Sequence, residues 1–420
     1  MKKPDFTPFD RMQEPPRQNT FLLPLIWLVS WLETRQGHLQ IKRIRMEGLK
    51  PPFLVLGTHH AFMDFYVTPL ALFPYRANYV SELEGFEHYG EWAYRQIGCL
   101  GTRKFVNDLS LVRNIQRVIA RGDILVLYPE ARYANVGTSS LLPSSIGKLA
   151  KLLKVPVVTL NMRGNYLQSP IWNLRRRRGS RLEATITQLF TCEELTTATA
   201  GEVQTKIQNA LTYDEYAWQY ETKQVICSPW RAEGLEHPLY QCIQCGQIGY
   251  MTTSGAELFC KACGSRWFMT ELGRLEEVER PGASVHIPDW YEWERRQVEE
   301  EIELGRYGLE LPVQVEALPN AVNFIDLGVG FLRHNNEGFF LRFADKTERA
   351  LHISPQATFS VHTEYDYRNK GECITLSVPD NTYFLYPRGD GFYATKIQFA
   401  TEYLYQKNRT RKGTLNAGPQ

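Results

Sequence analysis

The apolar run Phe53-Leu-Val-Leu56 passes without a break into Gly57-Thr-His-His-Ala-Phe-Met-Asp64. The run predicts a buried strand, so the polar residues that follow leave the end of a sheet, where open α/β folds place their ligands. His59 and Asp64 lie five positions apart. On one continuous helix that spacing turns the two side chains roughly 140° from each other. They can meet only if His59 stands in the turn before a helix and Asp64 in its first turn. Gly57 and Thr58 suit such a turn. Two readings are open: a histidine–carboxylate pair that removes a proton from an alcohol, or a capping histidine beside an N-terminal carboxylate.

Three further blocks follow in order. Gly98-Cys-Leu-Gly-Thr-Arg-Lys-Phe105 combines glycines with two cations. A helix is expected over residues 108–121. Asp123-Ile-Leu-Val-Leu-Tyr-Pro-Glu-Ala-Arg132 reads as strand, turn and a Glu–Arg pair, and Val155-Pro-Val-Val-Thr159 as another buried strand. Over residues 20–220 these four blocks resemble the glycerolipid acyltransferase superfamily, the 1-acylglycerol-3-phosphate acyltransferases. That family carries His-x4-Asp, a Gly-rich basic block, Pro-Glu-Gly-Thr-Arg and a Val-Pro-Val-like strand. The chain departs from the pattern in three places. Only Ala131 separates Glu130 from Arg132, the basic position of the second block is doubled as Arg103-Lys104, and Thr58 replaces the usual asparagine.

The resemblance implies acyl transfer from a thioester, acyl-coenzyme A or acyl carrier protein, to the hydroxyl of a lysophospholipid. The implied acceptor is lysophosphatidic acid and the product phosphatidic acid. His59 would be the general base and Asp64 would fix its tautomer. Arg103, Lys104 and Arg132 would hold the phosphate by charge-assisted hydrogen bonds. Glu130 is open between accepting from the glycerol hydroxyl, orienting Arg132 and forming a structural salt bridge.

A second framework lies downstream. Cys242-Ile-Gln-Cys245 and Cys260-Lys-Ala-Cys263 are each followed by a glycine and are separated by fourteen residues. Four thiolates at this spacing predict a closed tetrahedral structural Zn2+ site in a zinc ribbon, with no position left open for catalysis. The other cysteines are scattered, as expected in a reducing cytosol.

The chain has 420 residues, a net charge of +2 and 43% hydrophobic residues. Length predicts two or three domains, and near-neutrality gives no nucleic-acid signature. No secretory signal is read at the N-terminus. Phe21–Leu32 is apolar over twelve residues, short of the roughly 20 that span a bilayer. It is either an interfacial anchor, with Trp27 and Trp31 at headgroup level, or a helix packed on the domain. Arg175–Arg178, with Arg181 nearby, suits anionic headgroups or a solvated loop. A cytoplasmic protein, peripheral on the inner face of an anionic membrane, is the expectation.

A helix is expected from Pro288 to Leu304. Beyond residue 310 the pattern shifts to period two, with strands at 339–343, 358–362, 373–378 and 383–386, then a helix at 394–406 and a disordered basic tail. This β-rich part resembles the pleckstrin-homology architecture. The expected organisation is an α/β acyltransferase-like sheet flanked by helices (20–225), a zinc ribbon (235–275), a linker helix (280–306) and a pleckstrin-like domain (310–408). The alternative function is a non-catalytic membrane- or protein-binding scaffold that uses the ribbon and the C-terminal domain.

Overall fold

The computed structural model describes residues 5–174, 177–280, 282–344, 350–389 and 391–416. The N-terminal half is a mixed α/β unit built on seven strands: β1 (Gln40–Ile44), β2 (Leu54–Gly57), β3 (Ala77–Glu82), β4 (Cys99–Thr102), β5 (Ile124–Leu127), β6 (Val157–Arg163) and β7 (Glu183–Phe190). Their order is β1-β7-β6-β2-β5-β3-β4. Every pairing is parallel except β6 with β7. Strand β2 lies between β5 and β6, and all four of its residues are buried. Its apolar run is unbroken because both faces of the sheet are covered. Phe53, Val55 and Val126 belong to one core, and Leu54, Leu56 and Leu125 to the other.

Among the described residues ten α-helices accompany this sheet: α1 (Leu23–Thr34), α2 (Asp64–Ala71), α3 (Leu83–Tyr89), α4 (Glu91–Gln96), α5 (Leu109–Ala120), α6 (Ile146–Leu153), α7 (Asn165–Gln168), α8 (Cys192–Thr197), α9 (Ala200–Ala210) and α10 (Glu215–Glu221). Asp108 caps α5, accepting from the amides of Ser110 and Leu111. Thr191–Glu194 and Thr199–Glu202 form capping boxes at α8 and α9, satisfying amides that a helix start leaves without partners.

Five short antiparallel strands follow: β8 (Met251–Ser254), β9 (Glu257–Cys260), β10 (Arg266–Met269), β11 (Arg274–Glu277) and β12 (Ser284–His286). The cysteine-bearing sheet therefore runs past residue 275. Helix α11 (Ile287–Glu303) leaves β12 directly. Its Trp290 packs edge-on against Trp267 of β10, with ring centroids 4.7 Å apart, and donates to the Gln241 carbonyl.

The last unit is a seven-stranded antiparallel sheet, β16-β15-β14-β13-β19-β18-β17. Its members are β13 (Leu309–Ala317), β14 (Ile325–Asn335), β15 (Gly338–Phe343), β16 (Ala350–Ile353), β17 (His362–Glu364), β18 (Cys373–Val378) and β19 (Asn381–Pro387). Helix α12 (Ala394–Asn416) closes it and packs on α11, with Tyr291 and Phe399 in contact. Two expectations are corrected. The strand expected at 358–362 begins only at His362, because Thr358 and Ser360 turn inward to bond with each other and with Glu402. The basic tail continues α12 as helical backbone.

Candidate active site

Three neighbouring strands deliver the site. β2 ends at Gly57 and carries Thr58 and His59; β5 leads to Tyr128 and Glu130; β6 leads through Gly164 to Asn165. His59 stands in the turn, and Asp64 is the first residue of α2. His59 Nδ1 lies 3.1 Å from Asp64 Oδ2. The same oxygen accepts the backbone N–H groups of His60 at 2.6 Å and Ala61 at 3.2 Å. Asp64 Oδ1 accepts from Asn165 Nδ2 at 2.7 Å. Asp64 is fully buried, and the donors converging on it keep a carboxylate tenable there.

With Nδ1 turned to Asp64, Nε2 is the nitrogen left for other chemistry. The imidazole stacks on Tyr128, with centroids 4.5 Å apart and planes at 18°. Tyr128 is itself anchored to Thr68 Oγ1 at 2.7 Å. Thr58 accepts from the Met162 amide at 3.1 Å, tying the turn to β6. His60 points the other way, against Tyr213, and burial drives its pKa down to about 3, so its ring stays neutral.

His59 lines a cavity of about 650 Å³. Its lining includes the apolar side chains of Val80, Leu111, Ile115, Ile146 and Leu149 and the charged ones of Glu82, Glu84, Glu87, Arg103 and Lys104. Phe324, Phe359, Tyr367 and Arg368 of the C-terminal unit complete the wall.

The residues to which the resemblance assigns the phosphate are engaged elsewhere. Arg103 reaches into the C-terminal unit, donating to the carbonyls of Leu318, Pro319 and Asp380 and to Thr382 Oγ1. Both terminal nitrogens are engaged by these four oxygens, which leaves only Nε without a partner. Lys104 is ion-paired with Glu82. Burial pulls the Lys104 pKa down, but Glu82 and Glu84 outweigh it and raise it. Arg132 turns away from the cavity to Glu402 of α12 at 2.8 Å and to Ser360 at 3.2 Å. The single residue between it and Glu130, Ala131, sits at φ 56°. Glu130 neither pairs with Arg132 nor lines the cavity. Its carboxyl accepts from the His59 amide at 3.3 Å, the Ser140 amide at 2.8 Å and Tyr213 OH at 3.2 Å. Burial pushes its pKa up to about 7. It is a clasp for the backbone that carries His59.

No protein-family model matches the chain, and no curated protein matches it in sequence. Among solved structures it is similar to the 1-acyl-sn-glycerophosphate (LPA) acyltransferase PlsC from Thermotoga maritima. The TM-score is 0.39 and the identity 14%, over 46% of this chain and 77% of that one. At that distance the likeness says nothing about substrate or mechanism.

The sulfur atoms of Cys242, Cys245, Cys260 and Cys263 all lie within 4.8 Å of one another. Cys242–Cys263 and Cys245–Cys260 are each 3.8 Å apart. A tetrahedron with metal–sulfur bonds of about 2.3 Å has edges of about 3.8 Å, so the four thiolates fit a zinc ion. Gly246 and Gly264, at φ 74° and 81°, donate back to the Cys242 and Cys260 carbonyls and close the two turns.

Asn165 is the site residue that sequence reasoning misses. It lies 101 positions from its partner Asp64, and nothing local marks it beyond a polar residue after a buried strand.

Proposed function

We propose that the chain transfers a fatty acyl group from a thioester donor to a lysophospholipid hydroxyl. The supporting observation is the His59–Asp64 pair, saturated with hydrogen bonds on its acid side and opening on a part-apolar cavity. Asp64 holds the proton on Nδ1, so Nε2 presents a lone pair. It takes the proton of the acceptor hydroxyl as the oxygen attacks the thioester carbonyl. The tetrahedral intermediate then collapses, the C–S bond breaks, and the thiolate leaves with the proton from His59. No acyl-enzyme is needed. The apolar lining suits an acyl chain, and lysophosphatidic acid is the acceptor that the resemblance implies. The donor is acyl-coenzyme A or acyl carrier protein.

The test is release of free thiol from palmitoyl-coenzyme A and, separately, palmitoyl-acyl carrier protein, with lysophosphatidic acid as acceptor. Folded His59→Ala and Asp64→Asn proteins should lose roughly 10²–10⁴-fold. Wild-type rates in either variant remove the proposed base. A wild-type protein inert across donors leaves the scaffold reading.

In this reading the protein works at a membrane surface. No helix among the described residues is long and apolar enough to cross a bilayer. Helix α1 nonetheless exposes Leu25, Leu28 and Trp31, the last 54% exposed, and Phe21 just ahead of it is 94% exposed. Such a face lies comfortably in the headgroup region. Arg177 pairs with Glu33 and Arg178 is buried over Trp172; Arg175 and Arg176 lie outside the described residues. Sedimentation with anionic vesicles should carry the protein down, and Phe21→Ser with Trp31→Ser should release it; equal pelleting of both proteins refutes the docking face. The cysteine cluster holds structural zinc. The antiparallel seven-stranded unit closed by α12, which covers one side of the cavity, supports the reading of a pleckstrin-like domain. The setting is the cytoplasmic face of the membrane, with no nucleic-acid partner.

A further inference from the structure

The arginines matched to the acceptor phosphate are held by the C-terminal unit, yet that unit places an arginine of its own on the same cavity. Arg368 lies in the short turn between β17 and β18 and lines the cavity with Phe324 and Tyr367. Its guanidinium stacks over Phe324 at 3.9 Å, and its side chain is 38% exposed. One nitrogen, Nη1, donates to Glu316 at 2.9 Å. Glu316 also accepts from Lys370 at 2.6 Å and from Tyr386 OH at 2.8 Å. Two cations therefore share one carboxylate. The cavity is also lined by Glu82, which pairs with Lys104, by Glu84 and Glu87, and by Asp108, which caps α5. The Arg368 backbone is itself unusual. It sits at φ 55° and Asn369 at φ 59°, a region that non-glycine residues occupy at a cost and that clusters at ligand sites.

We propose that Arg368 receives the phosphate of the acceptor lipid and sets the preference of the site for a phosphate-bearing acceptor. The inference rests on the acyl-transfer reading for the identity of the lipid. The C-terminal unit thereby gives the cavity the cation that Arg103 and Arg132 do not supply. A planar guanidinium pinned by an aromatic face and one carboxylate keeps donors for a tetrahedral anion.

Calorimetric titration of the full-length protein separates this idea from catalysis. The probes are 1-oleoyl-lysophosphatidic acid and 1-oleoylglycerol below their micellar concentrations, and palmitoyl-coenzyme A. Wild type should bind the lysophosphatidic acid more tightly than the monoacylglycerol. Arg368→Gln should weaken the phosphate-bearing lipid roughly 10- to 100-fold, the worth of a charge-assisted hydrogen bond, and leave the monoacylglycerol unchanged. Arg368→Lys should fall between the two. Equal loss for both lipids, no loss for either, weakening only of palmitoyl-coenzyme A, or no wild-type preference for the phosphate overturns the proposal. Selective lysophosphatidic acid binding lost in Arg368→Gln, with no thiol release by wild type, upholds Arg368 while the acyl-transfer reading falls.

Discussion

Asn165 donates its side-chain amide to Asp64 Oδ1 at 2.7 Å, from a strand end 101 residues away in sequence. Both residues are fully buried. The bond stops the carboxylate from rotating off His59 and draws off part of its charge. Asn165→Ala should lower kcat about 10- to 100-fold, the range expected for one hydrogen bond to a charged group, with KM little changed. Asn165→Ser, which keeps a hydroxyl donor, should restore part of the rate. A loss of rate that tracks a lower Tm, with no rescue by Asn165→Ser, would reduce Asn165 to a packing residue.

Arg132 and Glu402 form an ion pair whose side chains are 5% and 3% exposed. Glu402 also pairs with Arg295 at 2.7 Å, so Arg132→Ala leaves the carboxylate a cation, whereas Glu402→Gln strands the buried Arg132, at about 3–5 kcal/mol. Glu402→Gln should lower Tm markedly and Arg132→Ala less, and the double variant should lose less than the sum. KM for lysophosphatidic acid should be unaffected. A large rise in that KM with Tm retained would return Arg132 to the phosphate.

Glu215 gives the protein a pH-dependent weakness. It is fully buried, accepts from the Gly164 amide at 2.7 Å and has Arg163 only at 3.5 Å. Burial pushes its pKa up to about 8, from an ordinary value near 4.5. The folded state thus holds a proton that the unfolded chain has released. This stabilisation is complete below about pH 4.5 and is lost as the pH rises through about 8. Glu215→Gln keeps an acceptor for Gly164 without the charge. Its stability relative to wild type should rise by on the order of 1–3 kcal/mol between pH 5.5 and 8.5. Histidine titration is common to both proteins and cancels. A constant difference in urea unfolding midpoints across that range would disprove the assignment.

Metal analysis of protein purified without chelator should find one zinc per chain. Apparent zinc affinities of structural sites are worth about 10–16 kcal/mol, so chelation or Cys260→Ser should unfold the β8–β12 unit and free Trp290 from Trp267. A tryptophan emission spectrum and melting curve indifferent to chelator would count against the site.

Local chemistry was legible wherever neighbours in sequence decide it. The apolar run 53–56 marked β2, the spacing of His59 and Asp64 required a turn followed by a helix start, and two Cys-x2-Cys turns announced a metal cluster. Asp108 marked the start of α5 for the same reason, since a cap reads only the next three amides. Strands β13, β14 and β16 were less visible, because sheet residues are stabilised by partners on other strands.

Arg103, Lys104 and Arg132 show where such reading stops. A sequence says that a long cation is present; it does not say which oxygen the cation reaches, because that depends on what the rest of the chain folds against it. The carbonyls after β13, Glu402 on α12 and Asn165 after β6 come from remote segments, and their arrival reassigned two arginines and completed one carboxylate. Residue order wrote the strand, the turn and the thiolate spacing into this chain. The wall of the cavity and the partner of each buried charge came from packing, where burial leaves no polar group free to choose water instead.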